Sequence, residues 1–518
     1  MCAFRFPDST KSYWRDSLKF GAYPEVNEDM TFDVGIVGGG ITGITLAYLL
    51  SEYDLDVCVI DARTLLSGTT GNTTAKVTIQ HGLIYDELIL NYGLEYTRKY
   101  YHANERAKQF IHDTILKLNI DCDYKEASAV LYTMESDNNT KLEREMEAYD
   151  KLGITAKLNQ QTELPFNVAN ALQIDGQAHF HPLKYLTRLI DHALENGVSF
   201  FENSPAVAID YSKKPIIVLK NGHRIVCDYV VEASHYPFFD GQQLFPLKMY
   251  AERSYALLAK TERTVDDMYL SIDDEVRSIR PVNVNGETYM IFAGENHRTG
   301  VSNIKMNDRF EKLARFANEH FHLEHIEHRW SAQDYTTLDK LPYIGTITKE
   351  KDNVFVATGF RKWGMTNGTN AAIMLKNLIL HEKDEYMDIF ATYRKMTFDP
   401  AVKKLVSFNV EVAKHLITGK FDAFNEKVES LRAGEAMITM HNGQRIGVYK
   451  DEDGELYAVD TTCTHLGCEL EWNDAEKSWD CPCHGSRFSY EGDVLNGPAV
   501  KNLKKRTDVI EKYHLVKQ

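Results

Sequence analysis

Apolar and polar positions over about the first 400 residues follow alternating strand-like and helix-like patterns. Residues 31–40 form a mostly apolar run ending in three glycines, 41–53 place apolar residues at helical spacing, and 56–63 form a second apolar run. This order predicts a buried strand, a glycine turn, a helix and another buried strand. Further helices are predicted at 85–118, 183–196 and 370–381, and strands at 215–219, 225–233 and 353–358. The alternation predicts an α/β fold.

The pattern changes near residue 400. Asp399-Pro400 interrupts it, and 408–421 has the apolar stripe of an amphipathic connecting helix. Short apolar runs then alternate with turn signals, Asn442-Gly443 and Asp453-Gly454, which favour β-hairpins. We therefore predict three parts: residues 1–405, a linker helix at 406–424, and a small all-β domain at 425–518.

Length and charge narrow the class of protein. A chain of 518 residues exceeds the length at which one hydrophobic core stops growing, so several domains are expected. The net charge of −16 and the lack of a basic stripe argue against a nucleic-acid partner. No apolar run approaches the roughly 20 residues of a transmembrane helix, and the first residues lack the apolar core of a secretory signal. We expect a cytoplasmic protein.

Two short loops near the C-terminus each combine a cysteine with a histidine. Cys463-x-His465 and Cys481-x-x-His484 supply four metal ligands. Such a set can bind zinc, or it can bind a [2Fe–2S] cluster with two thiolates on one iron and two imidazoles on the other. A zinc finger pairs its cysteines together and its histidines together, whereas each loop here is mixed. The spacing favours the cluster.

The loops CTHLGC and CPCHGS resemble the cluster-binding loops of Rieske proteins, particularly the high-potential kind of cytochrome bc complexes. The resemblance implies that Cys463 and Cys481 bind one iron and His465 and His484 the other. It also implies a disulfide between Cys468 and Cys483, and a third loop at Gly497-Pro498 that covers the cluster.

One position departs from the high-potential pattern. In those proteins a serine and a tyrosine donate hydrogen bonds to the cluster and its ligand sulfur, which raises the reduction potential. Ser486 occupies the serine position, but Phe488 stands at the tyrosine position. We therefore expect a potential below the respiratory type and above plant-type ferredoxins.

A dinucleotide fingerprint lies near the N-terminus. Gly38-x-Gly40-x-x-Gly43 joins the first predicted strand to the first predicted helix, and Asp61 ends the next strand. Gly38 suits the tight turn, Gly40 the approach of the pyrophosphate, and Gly43 the packing of helix on strand, while Asp61 would bind the ribose.

Three further stretches resemble motifs of the glycine/D-amino-acid oxidase family of flavoproteins: SGTTGNTTAK (67–76), WSAQDYTTLDKLPYIG (330–345) and VFVATGFRKWGMTNG (354–368). This resemblance implies a Rossmann-type FAD-binding domain with an interleaved substrate-binding sheet. Family members sometimes attach FAD covalently through Cys or His, but no cysteine lies in these stretches, so we expect noncovalent FAD. The residues that it assigns to FAD, beyond the three glycines and Asp61, are Ala62, Thr70, Gly71, Thr74, Ala75, Val207, Ala233, Ser234, Gly359, Gly364, Met365 and Thr366.

The resemblance also implies a reaction. Family members oxidise a carbon–nitrogen bond of an amine or amino acid by hydride transfer to the flavin. A fused one-electron centre suggests electron transfer to or from the cluster, and hence a one-electron protein or quinone partner. Arg361 and Lys362, beside the flavin-binding turn, are our candidates for lining the substrate cavity, where a cation would hold a carboxylate or favour anionic reduced flavin.

Two alternatives remain open from the sequence. In the first, the protein is a non-catalytic carrier that splits electron pairs between partner proteins. In the second, the cluster has a structural or redox-sensing role. We do not expect a terminal Rieske oxygenase, because the 34 residues after His484 contain one histidine, His514, too few for the mononuclear iron site.

Overall fold

A computed structural model describes residues 4–211, 213–241, 243–301, 304–348, 352–394 and 428–515. The predicted linker helix at 406–424 and the boundaries at 405 and 425 lie outside these residues. None of the helices in the described ranges combines the length and apolarity required to cross a membrane.

The first sheet is the predicted βαβ unit, extended on both sides. Its parallel strands run in the order Ser199–Phe201, Val57–Ile60, Met30–Val37, Arg224–Glu232 and Val354–Thr358. The antiparallel strand Tyr343–Thr346 closes one edge, and the hairpin of Ala206–Asp210 and Ile216–Leu219 pairs with Arg224–Glu232. The carboxyl ends of the parallel strands meet at one edge, where the fingerprint glycines lie.

A second, mostly antiparallel sheet is assembled from distant parts of the chain. Across the described residues its order is Leu323–Thr337, Met249–Thr261, Glu287–Arg298, Arg277–Val284, Met268–Ser271, Lys125–Thr133, Asn170–His179 and Lys76–Val77, with Lys157–Leu158 also paired to Asn170–His179. This is the interleaved sheet that the family resemblance implies.

Helices pack against both sheets, except Thr507–Leu515, which packs on strand Leu456–Asp460 of the C-terminal part. Within the described ranges they are Tyr13–Asp16, Ile41–Leu50, Tyr85–Tyr92, Leu94–Lys117, Asn139–Leu152, Pro182–Glu195, Phe245–Lys248, Met306–Phe321, Gly364–Ile379, Met387–Phe390 and Thr507–Leu515, with 3₁₀ turns at Thr69–Asn72, Ser136–Asn138 and Val428–Ser430. The helix predicted at 85–118 is two helices, because Gly93 takes φ +85° between them. The helix predicted at 370–381 begins six residues earlier, at Gly364.

The C-terminal part is a small β domain with two antiparallel sheets. One contains Ala436–His441, Gln444–Lys450 and Leu456–Asp460, and the other contains Glu471–Asn473, Ser478–Asp480, Arg487–Ser489 and Val494–Asn496. The Asn442-Gly443 turn joins the first two strands, as the sequence predicts.

Candidate functional site

The glycine turn has the tight geometry that the fingerprint requires. Gly38 takes φ +119°, and a Cβ there would lie 2.4 Å from the carbonyl oxygen of Ala233 on the neighbouring strand. A Cβ on Gly43 would lie 2.0 Å from the carbonyl oxygen of Gly38, so helix Ile41–Leu50 packs directly on the turn. Gly40 precedes the helix, whose first N–H groups carry partial positive charge.

Asp61 lies opposite this turn. Its carboxylate accepts hydrogen bonds from the backbone N–H of Gly39 (2.8 Å) and of Arg63 (2.9 Å), and burial raises its pKa. The two bonds fix the carboxylate at the end of strand Val57–Ile60. It is therefore already oriented for a ribose hydroxyl.

A cavity of about 790 Å³ extends from this turn to the second sheet. Most of the residues assigned to FAD or substrate from the sequence line its wall: Gly38, Gly40, Asp61, Ala62, Thr70, Thr74, Val207, Ala233, Ser234, Arg361, Lys362, Gly364 and Met365. Residues separated by more than 300 positions thus share one elongated cavity within the size range of cofactor sites.

Five of the assigned residues do not line the cavity themselves but lie beside residues that do. Gly43 and Gly71 are buried where a Cβ would strike backbone oxygens, and Gly359 takes φ +79° with a Cβ position 2.4 Å from Thr337 Cγ2. Ala75 is buried at φ +57°. The Thr366 hydroxyl lies 3.0 Å from His81 Nε2.

Helix Gly364–Ile379 begins at the cavity wall, next to a turn in which Arg361 and Lys362 both have positive φ. Arg361 Nη2 donates to the carbonyl oxygen of His81 at 2.8 Å. Burial raises the pKa of Asp334 to about 6, and the nearby ammonium of Lys362 opposes that rise. Both cations therefore already have partners within the protein.

Several cavity residues lie outside the set assigned to FAD or substrate from the sequence. Trp363 stacks on His81 with ring centroids 4.8 Å apart, and both His81 nitrogens lie within hydrogen-bond distance of protein oxygens. Glu252 and Asp334 are directly paired on neighbouring strands. The positions of Glu252 and Asp334 on the wall follow from the register of the second sheet, because alternate residues of each strand face the cavity.

The four predicted cluster ligands lie together at the tips of two loops. Cys463 and Cys481 are buried free thiols, and the rings of His465 and His484 are 5.1 Å apart and nearly perpendicular. Cys468 and Cys483 form a disulfide, which removes both from the possible ligands.

The donor set fits a [2Fe–2S] cluster. The Nδ1 atoms of His465 and His484 are both buried without a hydrogen-bond partner, a costly arrangement unless each binds a metal. The Ser486 side chain hydrogen-bonds to Cys463, and its hydroxyl oxygen also accepts from the backbone N–H of Ala499 at 3.0 Å. Phe488 is fully buried in the same cluster of side chains.

The two halves of the site meet. Residues 493–500 and Asn502 of the β domain form part of the cavity wall, beside the residues assigned to FAD. Tyr335 Oη donates to the carbonyl oxygen of Gly497 at 2.9 Å, and Gln333 Nε2 donates to that of Gly485 at 2.8 Å. A Cβ on Gly485 would lie 2.3 Å from Ala251 Cβ, so the loop of His484 is pressed against the second sheet.

A buried ion network fixes this interface. Arg253 of the second sheet pairs with Glu476 of the β domain, which also pairs with Arg487 at 2.9 Å. Both arginine side chains are less than 10% exposed. Charges desolvated to this extent hold two surfaces in one register, because separating them would leave buried ions unpaired.

Comparisons with known proteins agree with this architecture. Residues 33–378 match the family described as FAD dependent oxidoreductase, and residues 424–509 match the Rieske [2Fe-2S] domain. The chain belongs to the FAD dependent oxidoreductase family. The predicted family, fold class and cofactors, FAD and one [2Fe–2S] cluster, are thereby confirmed.

Relatives cover the whole chain or one part of it. A protein of Bacillus subtilis (strain 168), named as a Rieske 2Fe-2S iron-sulfur protein, YhfW, is 42% identical over 498 residues, 96% of this chain and 97% of that protein. Gamma-glutamylputrescine oxidoreductase of Escherichia coli (strain K12) is 24% identical, covering 74% of this chain and 92% of its own. The cytochrome b6-f complex iron-sulfur subunit of Chlorobaculum thiosulfatiphilum is 34% identical over 85 residues, 16% of this chain and 46% of its own.

Solved structures support the fold. Glycine oxidase from Geobacillus kaustophilus superposes with a TM-score of 0.60 at 16% identity, over 71% of this chain and 99% of its own. L-proline dehydrogenase from P. horikoshii gives 0.59 at 17% identity, over 71% and 98%.

Proposed function

We propose that this FAD-dependent oxidoreductase oxidises a carbon–nitrogen bond of an amine or amino acid, and that electrons pass between the flavin and the Rieske cluster within one chain. The observation that carries the proposal is the shared wall: residues 493–500 of the Rieske domain close the same cavity that the FAD-assigned residues line. The names of the relatives point to the substrate class, since gamma-glutamylputrescine, glycine and proline are all amines or amino acids.

In this proposal the protein orients and desolvates the reacting groups. The N–H groups at the start of Ile41–Leu50 would hold the pyrophosphate, and those at the start of Gly364–Ile379 would stabilise the negative charge that develops on the flavin. When bound, FAD supplies a hydride acceptor that can release its electrons one at a time. Arg361 and Lys362 line the cavity.

A short path of side chains connects the cavity with the cluster. His235 and Tyr236 line the cavity, and both rings lie 4.8 Å from the ring of Tyr335. Tyr335 in turn lies close enough to Cys481 for the thiolate to influence its pKa, which burial raises above the usual range. Two aromatic residues in series, one on the cavity wall and Tyr335 beyond it, thus form a path from the cavity towards the cluster ligand Cys481.

Anaerobic mixing distinguishes the enzyme from a carrier between partner proteins. Purified holoprotein is mixed with a panel of amines and amino acids while the visible flavin band is recorded. We expect bleaching by at least one small molecule, followed by the spectrum of the reduced cluster. Reduction by a protein donor alone, with no response to any small amine, would favour the carrier.

The His465→Ala variant separates the two steps. It should lose the cluster yet retain flavin bleaching by the same substrate, because His465 lies outside the cavity wall. His325→Ala, a change at an exposed histidine, is the matched control and should retain both signals.

A further inference from the structure

Lys76 is a buried cation on the cavity wall, and it has no anionic partner among the residues that the structure describes. Lys76 is 9% exposed. Its Nζ donates a hydrogen bond to the carbonyl oxygen of Tyr269 at 2.8 Å. No carboxylate of the described residues lies within ion-pair distance of it, and the charged group that influences it most is another cation, Arg280. Burial lowers the pKa of Lys76 to about 7.

Two other cations of the cavity lie near a carboxylate, since Lys362 is beside Asp334 and Lys340 pairs with Glu87. Arg361, like Lys76, donates to a carbonyl oxygen, that of His81, but the residue is only partly buried, whereas Lys76 is buried. An ammonium group can donate three hydrogen bonds, so the Lys76 side chain retains donors for a ligand. Burying such a group unpaired costs free energy unless an anion occupies the cavity.

The position of Lys76 indicates which ligand would supply the anion. Lys76 follows the loop that passes the cavity and begins the edge strand Lys76–Val77 of the second sheet. The cavity-facing residues Leu270, Ser278, Ala293, Ala256 and Trp330 form a row across five strands of that sheet. The glycine turn and Asp61, which suit the nucleotide, belong to the first sheet. The anion near Lys76 would therefore belong to the substrate.

We propose that Lys76 forms an oxyanion subsite that binds a carboxylate of the substrate. This inference rests on the proposed function and narrows its substrate class to amino acids, or to amines that carry a carboxylate elsewhere. It also moves the carboxylate contact away from Arg361 and Lys362, where the sequence pattern had placed it.

Binding is tested without turnover. Oxidised holoprotein is titrated with propanoate, and with propanamide as the neutral isostere, while perturbation of the flavin spectrum gives the Kd. Lys76→Met should raise the propanoate Kd by about 30-fold or more, since truncating one member of a buried charge pair costs about 2 kcal/mol or more. The propanamide Kd should stay within about threefold.

Lys362→Met is the matched comparison, and it should change the propanoate Kd by less than about threefold because Asp334 already lies beside that ammonium. Unchanged propanoate binding in Lys76→Met, or a large loss in Lys362→Met instead, would overturn the subsite. Either result leaves the proposed oxidation intact. The proposed oxidation fails separately if no amine or amino acid bleaches the flavin.

The wild-type pH profile gives a second test should Lys76→Met fail to fold. An anion binds the protonated amine, so propanoate affinity should be highest below about pH 7 and fall towards tenfold per unit above it. Burial lowers the pKa of His179 to about 2 and the pKa of Arg280 to about 9. Burial raises the pKa of Asp334, on another strand of the cavity wall, to about 6. A flat profile between about pH 7 and 8.5 would contradict the proposal.

Discussion

The hydroxyl of Tyr335 donates a 2.9 Å hydrogen bond to the carbonyl oxygen of Gly497, and so joins the second sheet of the oxidoreductase to the third loop of the Rieske domain. The same hydroxyl accepts from Gln333 Nε2 at 3.0 Å. Because the Tyr335 ring also touches His235 and Tyr236 on the cavity wall, one residue contacts both halves of the site.

Tyr335→Phe should slow electron transfer between flavin and cluster without slowing reduction of the flavin by substrate. Removing the hydroxyl takes the donor away from the Gly497 carbonyl and leaves Gln333 Nε2 with only its bond to Gly485. The expected cost to the docked interface is about 1–3 kcal/mol. Stopped-flow absorbance follows both steps. Tyr229→Phe removes a hydroxyl that contacts His381 away from the interface and should leave both rates unchanged.

Arg253→Met should destabilise the folded protein by about 3–5 kcal/mol, because Glu476 would lose one of its two buried partners. Arg253 lowers the pKa of Glu476 against the effect of burial, so this carboxylate stabilises the fold above its unfolded pKa and loses that contribution as the pH falls. Urea denaturation at neutral and acidic pH measures the effect. Arg253→Met with Glu476→Gln should recover part of the loss, and failure to recover any would contradict the pairing.

Phe488→Tyr should raise the reduction potential of the cluster. The ring is fully buried among Cys463, Cys481 and Trp479, and a hydroxyl there would donate towards a cluster sulfur. A new hydrogen bond that stabilises the reduced cluster by about 1.4 kcal/mol raises the potential by about 60 mV, because a one-electron couple shifts by 59 mV for each 1.4 kcal/mol. Redox titration followed by EPR gives the potential. Ser486→Ala should shift it in the opposite direction, and an unchanged or lower potential in Phe488→Tyr would contradict this expectation.

Gly38→Ala should abolish FAD binding. Its Cβ would lie 2.4 Å from the carbonyl oxygen of Ala233, and φ +119° is unfavourable for alanine. Gly93→Ala is the control, because φ there is +85° but nothing lies within 4 Å of the added atom. The flavin-to-protein absorbance ratio should fall to near zero in the first variant and stay at the wild-type value in the second.

The sequence predicted elements whose signals are local. The fingerprint glycines, the strand ending at Asp61 and the paired Cys/His loops each lie within a few residues, and each has the expected geometry. The sequence pattern predicts the start of helix Gly364–Ile379 six residues too late. Gly364 and the nearby Arg361 and Lys362, which have positive φ, resemble an extended loop in sequence.

The composite wall could not be read from the sequence. It depends on contacts between residues far apart along the chain, such as Tyr335 with Gly497 and Arg253 with Glu476. Lys76 lay within a recognised motif, yet its lack of an anionic partner depends on which strands surround it in space. Such facts follow from the register of the second sheet.

Intramolecular electron transfer is the central claim, and its rate tests it most directly. The substrate-reduced protein is followed anaerobically at several protein concentrations, with the cluster signal read by freeze-quench EPR. We predict that the cluster is reduced at a rate independent of protein concentration, and more slowly in Tyr335→Phe. A rate proportional to protein concentration, or a reduced flavin beside a cluster that stays oxidised, would contradict transfer within one chain.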